Sequence, residues 1–277
     1  MSRMPDDAEV RPGSATSLVR SIVGLYLRRL DGWIATADLI ALLEDLGVPA
    51  VLGRTAIARV KQKNLLASER TSRGVGYRLN EDAVGMLQAG DRRIFAPRRM
   101  AAGDPWCLLS FSIPEQRRAL RHQLRRRLHW IGCGTVSPAL WICPAFLSNE
   151  VEEILDDLSL RECATVFIAT DACGESSLRD SVATWWDLTS IAALHSEFIA
   201  EAEGLLASDP ADGADAFRRY LRGIDSWRPI PYLDPGLSLE VLPAGWSGDR
   251  SERLFAQLGE QLARPALEHV MARGALR

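Results

Sequence analysis

Apolar residues in the first 64 positions recur at three- and four-residue steps, the period of an amphipathic helix. They predict a first helix from Ser14, a plausible N-cap, to Leu30, and a second over 37–46 with Thr36 as its N-cap. A third helix follows Val48-Pro49 and runs to about residue 64. Its inward-facing side chains are predicted to be Val51, Ile57, Ala58 and Val60.

The pattern then changes to that of a β-hairpin. Leu65–Glu69 and Val75–Leu79 can pair as strands around a Gly- and Arg-rich turn over 70–74, and a short helix over 81–89 follows. Trp33-Ile34 is an additional short extended piece between the first two helices. Helix, strand, helix, helix and hairpin is the order of a winged helix-turn-helix, which we assign to residues 14–90.

A second α/β pattern follows a predicted linker over 91–104, which is small, basic and contains Pro97 and Gly103. In order, the chain predicts a buried strand, an Arg-rich helix, a hairpin, an acidic helix and a β-rich run: 106–113, 114–131, 135–143, 149–158 and 164–170. The order β-α-β-β-α-β indicates a ferredoxin-like central domain over 105–175.

Residues 176–277 are mostly helical in pattern. Helices are predicted over 185–206, over 212–223 and from Arg250 onward, and the four prolines of residues 226–248 exclude regular structure there. The predicted fold class is therefore α+β, with a winged helix-turn-helix, a ferredoxin-like domain and a helical C-terminal domain.

The distribution of charge along the chain suggests a binding partner. The chain has a net charge of −3, but residues 51–100 carry 11 Lys and Arg against 4 Asp and Glu, a local net charge of +7. Such a basic segment on an acidic body suggests a surface for a polyanion, and double-stranded DNA is the expected one. The predicted DNA-binding residues of the third helix and the hairpin are Arg54, Thr55, Arg59, Lys61, Lys63, Arg70, Arg73 and Arg78. Arg54 and Thr55, at the start of the helix, are predicted to reach base edges, whereas Lys61 and Lys63 are predicted to contact phosphates.

Other classes are disfavoured. The chain has no apolar run of the roughly 20 residues that span a bilayer, and its polar N-terminus lacks a signal-peptide core, so we expect a cytoplasmic protein. Five cysteines without a CxxC pair indicate buried or half-buried reduced thiols and no metal site. No GxSxG, P-loop or HExxH motif is present, and the first central strand lacks an acidic metal ligand, so no catalysis is expected.

Four strings together resemble the PaaX-type family of bacterial repressors of phenylacetic acid catabolism. They are RTAIARV in the third helix, IPEQRRALRHQLRRRLHWIGCGTVSPALWICP in the central domain, WWDL, and DPGLSLEVLPAGWSG. The resemblance covers about residues 14–260. It implies a homodimeric regulator whose winged helix binds an operator and whose body senses an acyl-CoA, typically phenylacetyl-CoA. It also implies a central domain like the CRISPR spacer-acquisition nuclease subunit.

An acyl-CoA site needs basic groups for phosphates and an aromatic surface for the acyl part. The candidate residues are Arg117, Arg118, Arg121, His122, Arg125, Trp141 and Trp186. For most of the tryptophans, a role in the core between domains is the better explanation. Two functional alternatives stay open: a winged-helix protein-interaction module without a DNA target, and an effector-independent regulator. The sequence does not separate a repressor from an activator.

Overall fold

The computed structural model describes residues 11–172 and 177–275, so Cys173 lies outside the described residues. The fold is α+β, as predicted. The helices are α1 Ala15–Tyr26, α2 Thr36–Asp45, α3 Ala50–Gln62, α4 Asp82–Phe95, α5 Arg118–Trp130, α6 Ser148–Asp157, α7 Leu178–Trp185, α8 Leu188–Leu206, α9 Gly213–Trp227, α10 Ile230–Leu233 and α11 Gly248–Ala275. The strands are β1 Trp33–Ala35, β2 Leu66–Thr71, β3 Gly74–Leu79, β4 Trp106–Phe111, β5 Gly134–Ser137, β6 Leu140–Pro144 and β7 Ala164–Ala169.

The chain divides into two compact units. One consists of Asp91–His195 and Pro229–Gly248, and the other of the described residues up to Gly90, Ser196–Arg228 and the described residues from Asp249 onward. Residues of the predicted C-terminal domain therefore contribute to both units. The boundaries proposed along the sequence, 14–90, 91–104, 105–175 and 176–277, stay a prediction.

The N-terminal helices begin and end largely where local chemistry places them. Ser14 caps α1, because its side chain accepts a hydrogen bond from the backbone N–H of Ser17. Gly47, with φ of 79°, follows α2 and supplies the left-handed conformation that commonly ends a helix. Thr36 is not the N-cap of α2, as predicted, but its first residue; the cap position falls on Ala35, which offers no side-chain acceptor.

The three-stranded sheet of this unit is antiparallel, in the order β1-β3-β2. Its hairpin is tighter than predicted: β2 extends to Thr71, so Arg70 lies in a strand rather than in the turn. Gly76 of β3 lies opposite both Ala35 and Glu69. A Cβ atom there would overlap the carbonyl oxygen of Ile34 and the ring of Trp33, so only glycine lets β1 approach this closely.

The four-stranded sheet of the other unit is antiparallel throughout, in the order β5-β6-β4-β7. Successive side chains of a strand point to opposite faces. Trp141 of β6 accordingly packs in one core with Leu124 and Leu128 of α5, whereas Ile142 packs in a second core with Trp106 and Trp186.

The helices predicted over 81–89 and 185–206 have different bounds in the structure. The helix expected to end at residue 89 continues to Phe95, so its last five residues fall within the segment predicted as a linker. Arg93 in its last turn is held by Glu150, at 3.0 Å, and by the carbonyl oxygens of Ile131 and Pro231. The helix predicted over 185–206 begins only at Leu188, as α8, and α7, which precedes it and ends at Trp185, was not predicted. Among the described residues, no helix is both long enough and apolar enough to cross a membrane.

Candidate nucleic-acid interface

The buried positions of α3 define which side of the helix faces the core. Gly53, Ala56, Ile57 and Val60 are buried, a spacing of three, four and seven residues that marks one helical face. Gly53 lies close to α2: a Cβ atom there would come within 3.1 Å of the Leu43 side chain. The opposite side of α3 is exposed along its length.

Most of the predicted DNA-binding residues lie on exposed surface. On α3 and just after it these are Arg54, Thr55, Arg59 and Lys63, and in the hairpin they are Arg70 and Arg73. The hydroxyl of Thr55 donates to the carbonyl oxygen of Val51 at 3.2 Å, so it is already engaged within the helix. The guanidinium of Arg73 lies 4.6 Å from the ring centre of Trp33, a cation–π contact that orients this side chain.

The other two predicted residues are engaged within the fold. Lys61 Nζ donates to Ser68 Oγ at 2.6 Å, joining α3 to β2. Arg78 Nε donates to Glu69 Oε2 at 2.7 Å across the hairpin, and its Nη1 donates to the carbonyl oxygen of Asp31 at 3.4 Å. Both side chains remain half-buried. Lys61 and Arg78 therefore brace the hairpin as well as adding charge to this surface.

Two residues that the sequence analysis missed lie at the start of α3. Val51, predicted to face inward, is 72% exposed, and the neighbouring Leu52 is 56% exposed. Ala58, also predicted inward, is exposed. The error is one of helical phase, because Val51 is not three, four or seven residues from Gly53, Ala56 or Val60. A phase fitted to Gly53, Ala56, Ile57 and Val60 would have placed Val51 outside.

The basic residues predicted to bind an effector lie on α5 and just before it, and most of them form hydrogen bonds within the protein. Arg117 donates to Glu162 Oε1 at 2.9 Å and to the carbonyl oxygen of Ser159. Arg121 donates to Glu115 Oε2 at 2.9 Å, and Arg125 donates to the carbonyl oxygen of Pro138 at 2.7 Å. Arg118 and His122 are the exposed members of the cluster. These bonds reduce the number of basic groups that α5 offers to a phosphorylated ligand.

The two aromatic residues of that cluster are not brought together. Trp141 and Trp186 are both buried, and they belong to the two different cores on either face of the central sheet. The indole N–H of Trp186 donates to the carbonyl oxygen of Gly132 at 2.8 Å. Trp186 therefore has a structural role, and one surface cannot present it together with Trp141.

The cysteines of the described residues are reduced, and three of the four are buried. A hydrogen bond to Cys143, together with burial, raises the pKa of the Cys107 thiol, so this thiol is a poor nucleophile at neutral pH. No group of three or more His, Cys, Asp or Glu side chains in the described residues is arranged to hold a metal ion.

Three family models match successive parts of the chain. Residues 14–83 match the model described as PaaX-like protein, residues 99–182 match the PaaX protein central Cas2-like domain, and residues 186–272 match the PaaX-like protein C-terminal domain. Together they cover both compact units.

Two known proteins resemble the chain over most of its length. The transcriptional repressor PaaX of Escherichia coli K12 is 28% identical over 271 residues, which cover 95% of this chain and 85% of the repressor. The solved structure of the uncharacterized protein Rv0674 from Mycobacterium tuberculosis has a TM-score of 0.59 at 23% identity, and the match covers 93% of this chain and 99% of that one. The structural match shows a shared fold. The chain therefore belongs to the PaaX family, a family of transcriptional regulators and not of enzymes.

Proposed function

We propose that this transcriptional regulator represses a catabolic operon by binding operator DNA through α3 and the β2–β3 hairpin. We infer that residues 14–90 form a winged helix-turn-helix, with α3 as the recognition helix and the hairpin as the wing. The observation that carries the proposal is the exposed, basic outer surface of α3, which continues into Arg70 and Arg73 of the hairpin. A helix of this diameter fits the major groove of B-DNA, and an adjacent hairpin can contact the backbone.

We further infer that the central α/β segment has a ferredoxin-like arrangement and that the protein acts in the cytoplasm as a homodimer. The strand order β5-β6-β4-β7, with α5 and α6 packed against one face, supports the first inference. The description of the matching central model as Cas2-like is consistent with it. A dimer would place two recognition helices on half-sites one or two turns of DNA apart.

The inducer that we propose is an acyl-CoA such as phenylacetyl-CoA. This part of the proposal depends on the resemblance to the PaaX family. Arg118 and His122, the exposed members of the cluster, are the groups that can approach its phosphates without breaking a hydrogen bond described above. Binding through Arg117 or Arg121 would require those guanidinium groups to leave Glu162 or Glu115.

The proposal is tested by DNA-binding titrations of the full chain on the DNA upstream of its own gene. We expect specific binding that is weakened by added salt and released by phenylacetyl-CoA, but not by phenylacetate or coenzyme A alone. Light scattering of the same preparation should give twice the mass of the chain. Binding that does not discriminate this DNA from random DNA would contradict the operator proposal. Tight specific binding that no acyl-CoA releases would contradict the inducer alone.

A protein-interaction module is the second candidate. It is favoured by the exposed apolar side chains of Val51 and Leu52 on α3 and of Val75, 53% exposed, in the hairpin. Monomeric proteins seldom keep large apolar patches exposed without a function. The basic side chains that surround these residues favour DNA, and the titration above separates the two.

Arg54→Ala and Lys61→Ala should affect DNA binding in different ways. Loss of Arg54 should cost about 1–3 kcal/mol at the operator and reduce the preference for it, because Arg54 is placed to reach base edges. Loss of Lys61 should weaken binding to all sequences alike and reduce the slope of log affinity against log salt by about one. Titrations on operator and random DNA at several salt concentrations measure both effects.

Arg264→Ala, which removes one exposed charge from α11, is the matched control. It should leave the operator preference unchanged. If Arg54→Ala and Lys61→Ala both bound specific and random DNA like the parent protein, the assignment of α3 to the groove would be wrong.

A further inference from the structure

We propose that the outermost line of α3, and Val51 in particular, recognises the C5-methyl groups of thymine in the major groove. The inference rests on the proposed operator binding and specifies what the recognition helix reads. It assigns base recognition to apolar side chains near the N-terminus of α3, in addition to the polar contacts expected of Arg54.

The geometry of α3 identifies this line. Successive residues of an α-helix are rotated by about 100°, so positions i, i+4, i+7 and i+11 lie along one side. The side directly opposite the buried Gly53, Ala56, Ile57 and Val60 consists of Val51, Thr55, Ala58 and Gln62. All four are exposed. This line, and not Arg54, is the centre of the surface that α3 presents away from the core.

Basic residues flank the line on both sides. By the same rotation, Arg54 and Lys61 lie along one edge, and Arg59 and Lys63 lie along the other. The line itself carries no charge. A polyanion with two parallel rows of phosphates on either side of a groove matches this distribution, because each basic edge faces one row and the neutral line faces the groove floor. The charge pattern therefore selects DNA as the occupant.

The side chains along this line of α3 favour contact with one base, thymine. Val51 and Ala58 have no hydrogen-bonding atoms in their side chains, and the hydroxyl of Thr55 already donates to the Val51 carbonyl oxygen. The thymine methyl is the apolar group that the major groove presents among the four bases. Burial of an exposed valine against that methyl removes apolar surface from water on both partners, which favours thymine over cytosine at the contacted step.

Deoxyuridine substitution tests the contact, because it removes the methyl group and leaves base pairing intact. After the operator has been mapped by footprinting, each thymine in it is replaced in turn by deoxyuridine. The parent protein should lose about threefold to fivefold in affinity at one or two positions, the factor expected from one buried methyl group. Val51→Ala should bind thymine and deoxyuridine equally well at the position that Val51 contacts.

Ile168→Ala is the control, since it shortens an exposed aliphatic side chain of β7, outside α3 and the hairpin. It should keep the full sensitivity to deoxyuridine. Circular dichroism should show that both variants are folded, because neither side chain is buried. Specific binding by the parent protein without any sensitive thymine would overturn the inference and leave the operator proposal intact, and so would Val51→Ala with unchanged sensitivity. Absence of specific binding would overturn the operator proposal itself.

Discussion

Asp225→Ala should lower the free energy of unfolding by about 3–5 kcal/mol, because removal of one partner of a buried ion pair leaves the other groups without their acceptor. Asp225 of α9 is 1% exposed. Its carboxylate accepts hydrogen bonds from Gly13 N at 2.6 Å, Ser17 Oγ at 2.6 Å and Ser21 Oγ at 2.9 Å, and it pairs with Arg228 Nε at 3.4 Å. The carboxylate also lies beside the first turn of α1, where the helix dipole favours negative charge.

Urea denaturation monitored by far-ultraviolet circular dichroism measures the effect. Asp225→Asn should cost less than Asp225→Ala, since the amide keeps one acceptor oxygen. Arg222→Ala, an exposed change on the same helix, should alter the free energy of unfolding by no more than about 0.5 kcal/mol. A loss below about 1 kcal/mol for Asp225→Ala would show that these buried bonds do not stabilise the contact between α9 and α1.

The role of Asp225 could have been anticipated from helical phase. The helix that carries it was predicted to end at residue 223, whereas α9 continues to Trp227. Phe217, Leu221 and Ile224 are buried, and Asp225 follows Leu221 by four residues and Phe217 by eight. An acidic residue on the buried face of a helix is itself buried, and the chain must provide hydrogen-bond donors for its carboxylate. Which donors these are depends on tertiary packing, which no local pattern contains.

The secondary structure of the proposed interface was predicted well, because helix periodicity and turn glycines are local. The orientation of α3 about its axis was predicted wrongly. Val51 and Ile57 are both apolar, and without knowledge of the element that packs on α3 either of them can be assigned to the buried face.

The break between α7 and α8 did have a local signal. Asp187 caps α8 by accepting from the N–H and the hydroxyl of Ser190, at 3.0 and 2.6 Å.

The composition of the predicted effector cluster did not show which of its residues are available to a ligand. Four arginines of one predicted helix were assigned to a phosphate site, but Glu162, Glu115 and the carbonyl oxygen of Pro138 engage three of them. Trp141 and Trp186 were grouped because an acyl group needs an aromatic surface and both residues are aromatic. Because side chains alternate between the two faces of β6, Trp141 packs in one core. Trp186 packs in the other core with Trp106, at 6.2 Å between ring centres. Which aromatic side chains come together therefore depends on how distant strands pair, and a local sequence pattern does not contain that information.

Gly236→Ala should destabilise the protein by about 2–5 kcal/mol, the combined cost of a left-handed conformation for alanine and of an overpacked contact. Gly236 has φ of 72°, and a Cβ atom there would overlap the carbonyl oxygen of Arg98. The segment cannot easily move, because Met100 N donates to Gly236 O at 2.7 Å and Gly236 N donates to Asp234 Oδ1 at 2.8 Å.

Asp234 is itself held in place. Burial would raise its pKa, but the hydrogen bond and charge of His195 outweigh burial, so the pKa of Asp234 lies below its ordinary value and the carboxylate stays ionised at neutral pH.

Gly245→Ala separates the two costs of the Gly236 change, because Gly245 has φ of 76° and no atom within 4 Å of an added Cβ. It should cost only about 1–2 kcal/mol, the conformational part alone. Equal shifts of the urea midpoint for the two variants would show that the contact with Arg98 relaxes without cost, and a larger shift for Gly236→Ala would confirm that this close approach requires glycine.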